Sequence, residues 1–82
     1  MNRVTQVEVL SGLRLKVTFA DGLTADINME PYIGKGFTAE LLVPERFAEV
    51  TTESGGGIAW PNGFDACPEF LRELAENKQA AA

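Results

Sequence analysis

Apolar and polar residues alternate with period two along the first third of the chain. Val4, Val7 and Val9 open an extended segment that runs to Leu10-Ser11-Gly12. Leu13, Leu15, Val17 and Phe19 then alternate with Arg14, Lys16 and Thr18. Past Ala20-Asp21-Gly22, Leu23, Ala25, Ile27 and Met29 alternate with Thr24, Asp26 and Asn28. This is the pattern of strands with one buried and one wet face, and the short breaks between them predict a three-stranded antiparallel meander. Parity sets the turn length. A two-residue loop at Asp21-Gly22 would put the two apolar sets on opposite faces. A three-residue loop, Ala20 to Gly22, pairs Phe19 with Leu23 and Val17 with Ala25 and places Gly22 in the left-handed region. The same arithmetic at Leu10-Ser11-Gly12 pairs Val9 with Leu13 and Val7 with Leu15.

The rest of the chain is more broken. Glu30 to Gly36 holds a proline and two glycines and reads as a connector with room for one helical turn. Phe37 and Leu41, four residues apart, fit one face of a short helical turn. Pro44 limits any helix before it, and Pro44-Glu45-Arg46 suits a fresh helical turn or a β-turn. Phe47 to Glu53 has strand composition, Ser54 to Gly57 reads as a flexible turn, and Ile58-Ala59-Trp60 as a strand, so the two runs predict a second hairpin. Trp60-Pro61-Asn62-Gly63 is a β-turn by composition. Cys67 is the expected cap of a last helix with Pro68 as its first residue and Glu69 in the first turn. Phe70, Leu71, Leu74 and Ala75 form its apolar stripe, Arg72, Glu73 and Glu76 are expected to face water, and Asn77 to Ala82 to fray. The architecture predicted is one α+β domain over residues 1–82, ordered over about 3–77: an antiparallel sheet of about five strands with one C-terminal helix packed on it.

Charge and composition narrow the function. The 82 residues carry 7 basic and 12 acidic side chains, a net charge of −5, which argues against direct binding of nucleic acid. There is no histidine, so Ser–His and Cys–His nucleophile pairs and imidazole metal sites are excluded. The single cysteine excludes an internal disulfide and a thiolate zinc cage. No apolar run approaches a membrane span, and MNRVTQVEVL lacks the apolar centre of a signal peptide, so a bacterial cytoplasm is the expected location.

Gly55 to Phe70 holds the only tryptophan, the only cysteine, two of the four prolines and four of the eight glycines. Within it, Trp60, Pro61, Asn62, Gly63, Phe64 and Asp65 are the candidate partner-binding residues, because an exposed tryptophan on a turn is a common hot spot. The competing reading makes Ile58 and Trp60 core residues of one strand face, with Asp65 tying down the turn. Cys67 at a helix start could carry a reactive thiolate, but a small buried thiol is the simpler expectation. Asp21, Asp26, Glu30 and Asp65 do not converge on a metal or acid–base site, and Gly55-Gly56-Gly57 lacks the residues of a phosphate loop. No catalytic residue, metal or cofactor is expected.

Three runs together resemble a known family: V-T-F-A-D-G at Val17 to Gly22, G-F-T-A-E-L-L-V-P-E-R-F at Gly36 to Phe47, and I-x-W-P-N-G-x-D from Ile58 to Asp65. Over about Val4 to Leu71 the chain resembles the small bacterial family catalogued as domain of unknown function 2442. The resemblance implies a short α+β domain with no established activity. Some members are fused to a helix-turn-helix segment, a form from which this chain departs by stopping after one helix. Others are encoded beside a second small protein, which suggests toxin–antitoxin-like pairing. The expected function is a non-enzymatic interaction or regulatory module that binds a protein partner. Self-association as a homodimer through an open sheet edge is a further expectation. The alternative is a small-ligand sensor with a shallow pocket between helix and sheet.

Overall fold

The computed structural model describes residues 3–81, with side chains described as far as Glu76. Strands β1 (Val4–Leu10), β2 (Arg14–Phe19) and β3 (Thr24–Asn28) form the antiparallel meander in the order β1-β2-β3. The pairing of β2 with β3 matches Val17 to Ala25, and the Phe19 N–H donates to the Leu23 carbonyl at 2.8 Å across the expected three-residue loop. Gly22 closes that loop at φ 96°, in the region glycine enters without a Cβ clash. One face of β2 and β3 is sealed: Leu15, Val17, Phe19, Ala25, Ile27 and Met29 are all buried.

The first turn corrects the expectation. Val9 pairs with Leu15 and Val7 with Val17, two residues further along β2 than predicted, so the loop is Ser11-Gly12-Leu13. A shift of two keeps every side chain on its face, which is why alternation alone did not detect it. Leu13 leaves the strand and adopts φ 62°, the only non-glycine residue among those described with a positive φ. Its carbonyl oxygen accepts from the Met29 N–H at 3.0 Å, which fixes that strained conformation. β1 is further bent by an irregularity between Val4 and Gln6 that turns Val4 into the core.

Two 3₁₀ helices follow, Glu30–Tyr32 and Gly36–Leu42, then a single α-helical turn, α1 (Pro44–Phe47). Thr38, the only buried polar side chain among those described, holds the second of these: its hydroxyl donates to the Lys35 carbonyl at 2.6 Å and accepts from the Gly34 and Lys35 N–H groups. The strand expected over Phe47 to Glu53 is reduced to β4 (Thr51–Thr52), because Pro44 starts a helical turn that takes Phe47 into the core. β4 pairs with β5 (Ile58–Ala59), and β5 with β6 (Asp65–Ala66). The result is two three-stranded antiparallel sheets rather than one sheet of about five strands.

The glycine run between β4 and β5 is a packed turn, not a flexible one. Gly56 and Gly57 are buried, the Gly56 carbonyl accepts from the Val4 N–H at 2.7 Å, and the Gly57 carbonyl accepts from the Glu53 N–H at 3.0 Å. A Cβ on Gly57 would strike the Ala66 carbonyl oxygen and lie 3.2 Å from the Cys67 Cα, so only glycine lets β5 and β6 approach there.

Helix α2 (Pro68–Ala81) starts at Pro68 as predicted and packs along β3, with Leu71 and Ala75 fully buried. The fraying expected for Asn77 to Ala82 concerns side chains that lie outside the described residues. Arg72 does not simply face water. Its guanidinium makes a two-pronged contact with Asp21, Nη1 and Nη2 donating to the two carboxylate oxygens at 3.1 and 2.9 Å, while Nε donates to Glu76 at 3.0 Å. The same group lies 5.1 Å over the Phe19 ring. Arg72 thus clamps the helix to the β2–β3 turn.

Candidate functional site

Tracing the Trp60–Asp65 turn from its backbone outward shows what its residues can do. The Trp60 N–H donates to the Phe64 carbonyl and the Gly63 N–H to the Trp60 carbonyl, at 2.9 and 3.1 Å. Asn62 locks the loop twice: its Oδ1 accepts from the Phe64 N–H at 3.1 Å, and its Nδ2 donates to the Phe37 carbonyl at 3.0 Å. That second bond fastens the turn to the Gly36–Leu42 helix. Asn62 does the tying expected of Asp65, whose side chain is exposed on β6.

Trp60 is not an exposed anchor. It is 3% exposed, next to the fully buried Ile58, and its indole N–H is satisfied inside the protein by the Phe47 carbonyl at 2.8 Å. Its ring stands 5.8 Å from Phe47 and 5.4 Å from Phe64, and Phe64 in turn stands 6.3 Å from Phe37. The four rings form a chain from the core to the surface, and the exposed end is Phe37, at 61% exposure. Of the six candidate residues, Trp60 is core, Asn62 and Gly63 build the turn, Phe64 is half-buried beneath Phe37, and Pro61 and Asp65 are exposed. Trp60 thus lies in the core with Ile58, as the competing reading of the sequence had it. Phe37, expected on one face with Leu41, is instead exposed while Leu41 and Thr38 are buried, because the segment is a 3₁₀ helix, in which residues four apart do not align.

Beyond this turn, two further exposed apolar residues line a groove. A groove of about 360 Å³ is walled by Val9, Leu10 and Leu13 on the β1–β2 side and by Leu42 and Pro44 opposite, with Phe47 also lining it. Val9 and Leu42 are large apolar residues exposed at 37% and 46%, and the strained Leu13 lies in the same groove. Further along β1 a second groove of about 500 Å³ lies between Thr5–Glu8 and Val50–Thr52, and it is polar, with Lys16, Thr18 and Thr24 also lining it. Val4 bonds Gly56 and β4 packs beside β1, while the two grooves share no lining residue: the polar one opens onto the wet face of the sheet that carries Lys16, Thr18 and Thr24. Neither is lined by α2, so a ligand pocket between helix and sheet is not where these cavities lie.

The shifted groups among the described residues belong to ion pairs that link elements of the fold. The Arg72 guanidinium holds the Asp21 carboxyl below the usual carboxylate range, helped by the Leu23 N–H, and Asp21 and Glu76 push Arg72 up in return. Arg14 is likewise raised by its contact with Asp26 across the wet face of the sheet. Cys67 is exposed at the start of α2, not the buried thiol expected, because β6 turns Ala66 inward and so leaves its neighbour outward. Among the described residues no group of three or more His, Cys, Asp or Glu is placed to hold a metal ion, and no helix is long and apolar enough to cross a membrane.

A family model described as "Protein of unknown function (DUF2442)" matches residues 4–77. No curated protein and no solved structure matches the chain.

Proposed function

The chain belongs to the DUF2442 family, and on that premise we propose that it is a non-enzymatic module that docks onto a second protein through the apolar groove between the β1–β2 turn and Leu42. The observation that supports this reading is the placement of Val9 and Leu42, both large, apolar and exposed, on facing walls of one groove. Exposed apolar side chains gathered in a concave site, rather than scattered singly, mark surfaces that another molecule covers. Leu13 adds to it, since a bulky residue held at φ 62° in that groove is strain at the place where contact is proposed. A sequence without histidine favours recognition over catalysis. The partner we propose is a small protein of the bacterial cytoplasm, in the toxin–antitoxin-like arrangement that the family resemblance suggests.

The test is capture of a partner from native lysate by the tagged chain and by its Leu42→Lys variant, with circular dichroism on both. Leu42 is exposed, so the variant keeps the fold. Loss of a stoichiometric partner with an unchanged spectrum supports the docking groove, and undiminished capture by Leu42→Lys overturns it.

A further inference from the structure

Asn62 is the only asparagine of the chain that is followed by glycine. In such a pair no Cβ shields the second residue's backbone nitrogen, which attacks the side-chain amide carbon of the asparagine. A C–N bond forms, the bond to the amide nitrogen breaks and ammonia leaves, giving a five-membered succinimide. Water then opens that ring at one carbonyl or the other, to aspartate or to isoaspartate. The only reactant besides the chain is water.

The Trp60–Phe64 turn withholds what that attack needs. The Gly63 nitrogen is aimed at the Trp60 carbonyl, to which its N–H donates at 3.1 Å. The Asn62 carboxamide is fixed at both ends, Oδ1 by the Phe64 N–H at 3.1 Å and Nδ2 by the Phe37 carbonyl at 3.0 Å. Turning Cγ toward the Gly63 nitrogen breaks both bonds. The Phe64 N–H on Oδ1 would steady the oxyanion of an attack, but the nucleophile is held elsewhere. Nothing else blocks the reaction: Gly63 is exposed, and no atom lies within 4 Å of where its Cβ would be. Closure of the turn is therefore the whole of the protection.

We propose that Asn62-Gly63 is a self-modification site gated by the fold, silent while the turn is closed and deamidating when it opens. The product cannot restore the closed turn. An aspartate still accepts from the Phe64 N–H, but it sets a second, charged acceptor where Nδ2 faced the Phe37 carbonyl. An isoaspartate adds a methylene to the backbone of the short loop that joins Trp60 to Phe64. Either product cuts the tie between the turn and the Gly36–Leu42 helix and releases Phe37, the exposed end of the ring chain. The bond from the Trp60 indole to Phe47 lies outside that tie. The site is separate from the docking groove, with which the turn shares no lining residue.

The full chain is incubated in mildly alkaline buffer, folded and in guanidinium, and Asn62 is followed by peptide mass spectrometry and an isoaspartate assay. Asn28, which precedes Met29, is the internal reference. In guanidinium Asn62 is expected to deamidate faster than Asn28. In the folded chain its rate should fall roughly a hundredfold, the factor that three bonds of ordinary net strength supply together. Equal rates at Asn62 in the folded and unfolded chain overturn the gate. No preference for Asn62 over Asn28 in guanidinium overturns the site itself. Asn62→Asp tests the consequence by nuclear magnetic resonance: the Phe37 and Phe64 ring signals should shift while the Trp60 indole N–H stays slow to exchange. Unshifted Phe37 signals, or loss of the whole fold, overturn the selective release of Phe37.

Discussion

The indole N–H of Trp60 is bonded to the carbonyl oxygen of Phe47, 2.8 Å away, inside the protein. That bond joins the Trp60–Phe64 turn to the end of α1 and leaves Trp60 no polar group to offer a partner. Trp60→Phe keeps most of the ring packing and leaves the Phe47 carbonyl only its long, 3.4 Å bond from the Val50 N–H. The variant is expected to lose about 2 kcal/mol of stability, read as a lower urea midpoint at unchanged slope. Partner capture should fall only in step with folding.

Leu13 and Leu15 are close in sequence and opposite in their response to truncation. Leu13 is half-buried at φ 62°, a conformation that costs a residue with a Cβ about 1–2 kcal/mol, so Leu13→Gly regains in backbone strain much of what it loses in packing. A net loss under about 1.5 kcal/mol is expected. Leu15 is fully buried on a regular strand, and Leu15→Ala should cost about 3 kcal/mol. Equal losses in chemical denaturation would remove the case for strain at the groove.

Gly57→Ala adds one methyl group against backbone, where no side chain can rotate away. The expected cost is about 3 kcal/mol. Its signature is loss of protection at the Ile58 and Ala66 amides while the β2–β3 ladder stays protected. Gly55→Ala, with nothing within 4 Å of the added Cβ, is the matched control.

Asp21 sets an acid limb. Its carboxyl is held below the ordinary value by the Arg72 contact in the folded state and returns to that value on unfolding. The stabilisation is therefore complete above the ordinary carboxylate range and is lost as pH falls through the depressed folded value. In melting curves from pH 7 down to pH ~2, Asp21→Asn should start lower and lose less on acidification. The difference at pH 7 should shrink in 0.5 M salt, since the pair is exposed to solvent.

How far the sequence reaches into this fold depends on the kind of signal each element carries. The β2–β3 pair is legible because it takes the shortest loop that puts both alternating runs on one face, with Gly22 closing it at φ 96°. The β1–β2 register slipped by two, since Val9 opposite Leu13 and Val9 opposite Leu15 satisfy the same parity and only the unusual φ of Leu13 separates them. The second sheet has strands of two residues, shorter than one full period of any pattern, so β6 left no trace and Phe47 was read as strand rather than as the end of a helical turn. The Trp60 region is recognisable as a turn, but the burial of Trp60 involves Phe47, which arrives from a distant position. The apolar groove is the least legible, because it exists only where Leu42 and Pro44 are laid beside the β1–β2 turn.

Phe47 belongs to two neighbourhoods at once: its carbonyl holds the indole of the sole tryptophan, and the residue lines the apolar groove. Whatever fills that groove touches the residue that fixes the indole's hydrogen bond and local polarity. The protein consequently carries its own optical gauge. Excitation of Trp60 reports occupancy of a surface site from inside the core, without a label, and a titration can be followed by the position and intensity of its emission alone.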